Sequence, residues 1–169
     1  MKKIKAILTA CMMVSLAGML FAPSTMGANE SINVTLTPDA TANITLDQNS
    51  WDGEGAGIGE FGQTAENWGN CTNDGSVAVD VTVNISADAD TEWTVSADAT
   101  AGHDEPAFAI YDNDATNWEL LNTTHSTFKS NLAYNAVQPF GLNVSMPPST
   151  STNVDQNFTI TFVATPYDG

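Results

Sequence analysis

Between positions 76 and 86 every second residue is apolar: Val77, Val79, Val81, Val83 and Ile85 alternate with small or polar neighbours. Side chains on a strand point alternately to its two faces, so this run buries one face and wets the other only as a β-strand. Shorter stretches of the same alternation recur, bounded by Gly, Pro, Asn and Asp, and no segment carries a convincing helical apolar period. The pattern predicts strands over 32–37, 42–46, 62–68, 76–86, 92–96, 107–111, 117–121, 139–146 and 156–164. Asn73-Asp74-Gly75 supplies a tight turn into the strongest strand, and Pro38-Asp39 and Pro147-Pro148 break others. The expectation is an all-β fold, a single immunoglobulin-like antiparallel β-sandwich of about seven to nine strands.

Five N-glycosylation sequons lie on these strands with the asparagine on the polar parity. Asn33 stands against Ile32, Val34 and Leu36, and Asn43 against Ile44 and Leu46; Asn84 faces away from the valine row. Asn143 opposes Leu142 and Val144, and Asn157 opposes Phe158, Ile160 and Phe162. Asn70 and Asn122 head further sequons. These seven asparagines are candidate glycan acceptors on the solvated faces of a protein that leaves the cell.

Export has its own signature. Lys2, Lys3 and Lys5 precede a largely apolar run from Ala6 to Ala22, followed by the small residues Ser24, Gly27 and Ala28. This describes a cleaved secretory signal over 1–28, leaving 29–169 as the sandwich domain. Leu8-Thr9-Ala10-Cys11 looks like a lipobox, but it lies too close to Lys5 and the apolar run continues past it. Removal of the signal leaves Lys129 as the one Lys or Arg against 20 Asp and Glu, a balance of −19. Such a field repels phosphate backbones, which excludes nucleic acid as a partner. No later apolar stretch is long enough to span a bilayer. A salt-rich habitat, bound divalent cations and a crowded soluble surface each account for the acidity.

Chemistry-bearing motifs are sparse. Gly57-Ile58-Gly59-Glu60-Phe61-Gly62 matches a dinucleotide fingerprint in letters but lacks the preceding strand and following helix, so it reads as a glycine loop. Asp88, Asp90 and Glu92, and separately Asp112 and Asp114, place oxygens at alternate positions as calcium loops do. The EF-hand glycine and glutamate are missing, so they are candidate ligands of a different kind of calcium site or two solvated acidic turns. His103 and His125 are the only histidines, and no nucleophile elbow or zinc spacing accompanies them. An enzyme is not expected. Cys71, the one cysteine left after processing, is a candidate intersubunit disulfide or a buried small apolar residue. Trp51, Trp68, Trp93 and Trp118 read as core or sheet-edge anchors, with an aromatic platform for sugars as the alternative; Trp93 and Trp118 alternate with Val95 and Leu120 as core residues do, while Trp51 and Trp68 are freer to stack on a ligand.

The residues 68–165 resemble exported immunoglobulin-like β-sandwich proteins of archaeal cell surfaces. The likeness is carried by Thr72-Asn73-Asp74-Gly75-Ser76-Val77-Ala78-Val79, Trp93-Thr94-Val95, Phe108-Ala109-Ile110-Tyr111, Trp118-Glu119-Leu120-Leu121, Phe140-Gly141-Leu142-Asn143-Val144 and Phe158-Thr159-Ile160-Thr161-Phe162. It implies a subunit of an archaeal filament or methanogen sheath, with itself as partner. Independently, edge strands without basic gatekeepers invite pairing, and Ile32, Val34 and Leu36 form an amphipathic candidate donor strand for a neighbouring copy. The expected function is therefore a self-assembling surface protein, the competing expectation a secreted carbohydrate- or protein-binding module.

Overall fold

The computed structural model describes residues 40–89, 91–112 and 116–169, which belong to one compact unit, Pro38–Gly169. The expected signal over 1–28, Asn33 and the strand of Ile32, Val34 and Leu36 lie outside the described residues, as do Asp90 and Asp114. Nine strands follow in order: β1 (Ile44–Leu46), β2 (Phe61–Gln63), β3 (Gly69–Asn73), β4 (Val79–Ala87), β5 (Ala107–Asp112), β6 (Asn117–Leu121), β7 (Ser126–Leu132), β8 (Val137–Ser145) and β9 (Phe158–Pro166). Six form one sheet, ordered β1-β3-β8-β5-β6 with β2 also on β8, and three form the other, ordered β7-β4-β9. Every pairing between these strands is antiparallel. The all-β two-sheet sandwich expected from the alternation is the fold observed.

The valine row faces the larger sheet. Val79, Val81, Val83 and Ile85 are essentially inaccessible and join Cys71, Ile110, Leu121, Phe128, Leu132, Phe140 and Leu142 in one core cluster. Phe128, Phe140 and Phe162 meet with centroids 5.2–6.3 Å apart, tying β7, β8 and β9 together. Aromatic pairs at such spacings add about 0.5–1.5 kcal/mol each beyond area burial. Gly69 is required here: a Cβ on it would lie 2.5 Å from the Phe140 ring.

Three strand expectations are corrected. The predicted 62–68 strand is β2 followed by a loop, and the ladder resumes at β3, where Gly69, Cys71 and Asn73 are the buried positions. An inward face made of Gly, Cys and Asn has no apolar alternation to read. β7 went unpredicted because Phe128 and Leu132 are its only buried residues, and its pairing with β4 shifts register between Val79 and Thr82. The 92–96 segment is assigned to no ladder; the side chain of Gln156 accepts from the Glu92 and Trp93 amides, and the Thr94 and Ser96 amides donate to the Asp104 and Pro106 carbonyls.

Candidate functional site

A three-stranded sheet cannot cover a six-stranded one, and the mismatch shows beside β9. Among the described residues β9 pairs only with β4, so one side of its nine-residue backbone lacks a ladder partner. Next to it opens a trench of about 900 Å³. Phe158, Ile160 and Phe162 of β9 form one wall, and Leu46, Phe140 and Leu142 of the larger sheet form its floor. These side chains point between the sheets because Ile160 pairs with Ile85, and Phe162 with Val83, both in the core. The trench follows the half of β9 nearest Phe158 and stops short of Val163–Pro166. Sequence 158–166 contains no Lys or Arg, and its outward residues are Thr159, Thr161, Val163 and Thr165.

Of the four tryptophans, Trp118 alone departs from the core position expected of it. Trp51 and Trp68, read as the freer pair, pack against the core and line the trench. Trp93 is buried as expected, its indole N–H donating to Thr150 Oγ1 at 2.9 Å. Trp118 lies on the outer face of the larger sheet against Tyr111, 5.3 Å between centroids. The register explains the reversal: Leu121 opposite Phe108 takes the inward parity, which sends Trp118 and Leu120 outward.

Cys71 is fully buried on β3. Its burial, with the nearby charge of Asp74, pushes the thiol up to about 11. The intersubunit disulfide considered for this residue does not fit that enclosure, since β3 runs between β1 and β8. We therefore expect folded protein to resist thiol-alkylating reagents at pH 8 and to react fully once denatured. Rapid native alkylation followed by mass spectrometry would refute it. The protonated thiol is the form the fold favours, so its contribution to stability is intact below pH 9 and fades as pH rises towards 11.

No three His, Cys, Asp or Glu side chains gather as a metal site among the described residues. Asp88 accepts from the Thr159 hydroxyl at 2.7 Å beyond the end of β4, whereas Asp112 closes β5 opposite Phe140. Glu92 contributes its amide to Gln156. Of the acidic positions considered for calcium, Asp88, Glu92 and Asp112 are not part of a metal-type cluster among the described residues, and Asp90 and Asp114 lie outside them. His103 Nδ1 lies 2.9 Å from Asp104, and His125 Nδ1 lies 3.4 Å from the Thr82 hydroxyl on β4. Asp104 holds the 149–151 segment through the Ser151 amide and hydroxyl, at 2.9 and 2.6 Å. Those hydrogen bonds, the Ser151 hydroxyl first, hold its carboxyl down at about 2.

No protein-family model and no curated protein matches this chain. Its functional reading rests on its own geometry.

The sequons occupy distinct settings. Asn43 and Asn157 are exposed, while Asn70, Asn84, Asn122 and Asn143 are half-buried. Asn70 pairs with Pro139 and Asn143 with Ala109, both on the outward parity of the larger sheet. Asn84 also faces away from the core, but the chain after β6 covers it: its Oδ1 is buried without a partner, and its Nδ2 lies 3.5 Å from the Thr123 carbonyl. No helix among the described residues is long and apolar enough to cross a membrane.

Proposed function

We propose that this chain is a secreted structural subunit of a self-assembling extracellular filament, sheath or surface layer, and that copies join by strand pairing. The observation that carries the reading is that, among the described residues, β9 pairs only with β4 and lies beside a trench walled by Phe158, Ile160 and Phe162. An edge of that length without basic residues is a template for another strand, and the trench offers seats for alternate apolar side chains. The donor is the segment 32–37, whose Ile32, Val34 and Leu36 match that spacing. Burying those three side chains contributes about 1.5–3 kcal/mol each before the cost of ordering the strand.

In this reading the donor strand comes from a second copy, and it pairs antiparallel as every pairing between the described strands does. Identical head-to-tail contacts then close a ring or propagate as a filament. At −19 per mature chain, packed copies repel one another unless counterions collect at the contacts, so calcium bridging carboxylates of different copies belongs to this reading.

The aromatic lining supports a second reading, a carbohydrate- or protein-binding adhesion module, with Trp51 and Trp68 as stacking surfaces in the trench. Negative-stain imaging of the secreted protein separates the two. Ordered polymers are expected; dispersed monomers that bind a glycan array would overturn assembly in favour of adhesion.

A further inference from the structure

We infer that the fold sorts its own sequons: Asn122 and Asn157 accept glycan, whereas Asn43, Asn70 and Asn84 stay bare. This rests on the reading of the chain as an exported, glycan-bearing protein. In the transfer, the asparagine Nδ2 attacks the anomeric carbon of a sugar carried as a lipid-linked phosphate ester. The new N–C bond forms as the sugar–phosphate C–O bond breaks, the lipid phosphate leaves, and Nδ2 gives up one proton. The nitrogen must therefore be reachable, and the sugar must have open solvent in front of it.

At three sequons the fold occupies the groups this reaction needs. Asp47 grips Asn70 twice, accepting from its backbone N–H and from Nδ2, both at 2.7 Å. Asp74 holds both recognition groups of the sequon 43–45, with Nδ2 of Asn43 at 2.8 Å and the Thr45 hydroxyl on its second oxygen. Hydrogen bonds to an ionised acceptor are the strong ones, and each would have to break before the side chain swung out. Asn84 is enclosed by the turn after β6, with a buried Oδ1 and with Nδ2 facing the Thr123 carbonyl. It lies on β4 between β7 and β9, and its neighbour Ile85 donates its amide to the Asn122 carbonyl.

Two sequons are presented instead. Asn122 heads the turn between β6 and β7, where its Oδ1 accepts from the Thr124 amide at 2.9 Å and from the Thr124 hydroxyl at 2.6 Å. That Asx turn engages the carbonyl oxygen and brings the sequon hydroxyl onto the carboxamide, leaving Nδ2 with no partner among the described residues. Asn157 is exposed just before β9; its backbone is anchored by Thr91 and Asp88, while its side chain has no partner among the described residues. Both lie at one end of the sandwich. Leu121 pairs with Phe108, Asn157 precedes Phe158, and the two phenylalanine rings meet at a tilt with centroids 4.9 Å apart.

Intact-glycopeptide mass spectrometry of the protein taken from its native cell surface tests the sorting. Glycan on Asn122 and Asn157, at occupancies at least about tenfold above those of Asn43, Asn70 and Asn84, is the expected result. Comparable occupancy at any of those three, or bare Asn122 and Asn157, overturns it. Asp47→Ala, expressed in the same host, should raise occupancy at Asn70 several-fold, and an unchanged value counts equally against the inference. Polymers with unsorted glycans would overturn this inference alone; sorted glycans on a dispersed monomer would overturn the assembly reading alone.

Discussion

A chain lacking residues 30–37 is expected to fold and to lose its polymers. The core of Val79, Val81, Val83, Ile85, Leu121 and Phe140 lies entirely outside the deleted segment, so the far-ultraviolet circular dichroism of the sandwich should persist. The deletion removes Ile32, Val34 and Leu36, which are proposed to seat beside β9. Three apolar anchors at about 1.5–3 kcal/mol each carry more than a thousandfold in association. Negative-stain fields and sedimentation should show dispersed subunits at concentrations where the full chain polymerises. Polymers of unchanged length would remove strand donation from the account. Thr161→Lys keeps the donor segment and places a charge on the exposed edge of β9. It should weaken assembly as well, because lysine is how monomeric sheets guard their edges.

Asn73→Ala should cost the largest share of folding stability of any single polar substitution considered. Asn73 is fully buried, and its side chain is completely used. Nδ2 donates to the carbonyls of Val77 and Leu132, both at 2.8 Å, and Oδ1 accepts the Gly75 amide at 3.0 Å. Three segments, the end of β3, the entry to β4 and the end of β7, are thereby joined through one residue. Truncation removes the side-chain partner of two carbonyls and one amide, at about 1–3 kcal/mol for each group left unsatisfied. The expected loss is roughly 3–5 kcal/mol, or a fall in Tm of roughly 10–20 °C by calorimetry. A fall under about 3 °C would show that water reaches these groups and that the residue does not organise the turn.

Legibility followed side-chain chemistry. β4, β5, β8 and β9 were readable because large apolar residues mark their inward parity, as in the valine row and in Phe158, Ile160 and Phe162; β6 was read from Trp118 and Leu120, which face outward. β3 and β7 were not. Their buried positions are held by Gly69, Cys71 and Asn73, and by Phe128 and Leu132 across a register shift, so period-two hydrophobicity is absent although the ladders are present. Trp118 was misassigned for a related reason. Alternation establishes that Trp118 and Leu121 face opposite ways, but only the pairing of Leu121 with Phe108 says which way is in. The sequons were legible as outward-facing positions. The carboxylates of Asp47 and Asp74 that hold two of them come from sequence separations of 23 and 31 residues, and no local pattern announces such partners.

Sequence alone determined that this chain is a two-sided sheet protein, because the period of its apolar residues admits no other regular structure that buries them. It also determined the surplus of carboxylates and the near absence of basic residues. Tertiary structure decided how the described strands divide between the two sheets, and hence that among them β9 pairs only with β4 and has a trench beside it. That outcome depends on which strands pair, a long-range choice made by core packing between segments far apart in the chain, and periodicity within a strand carries no record of its neighbour.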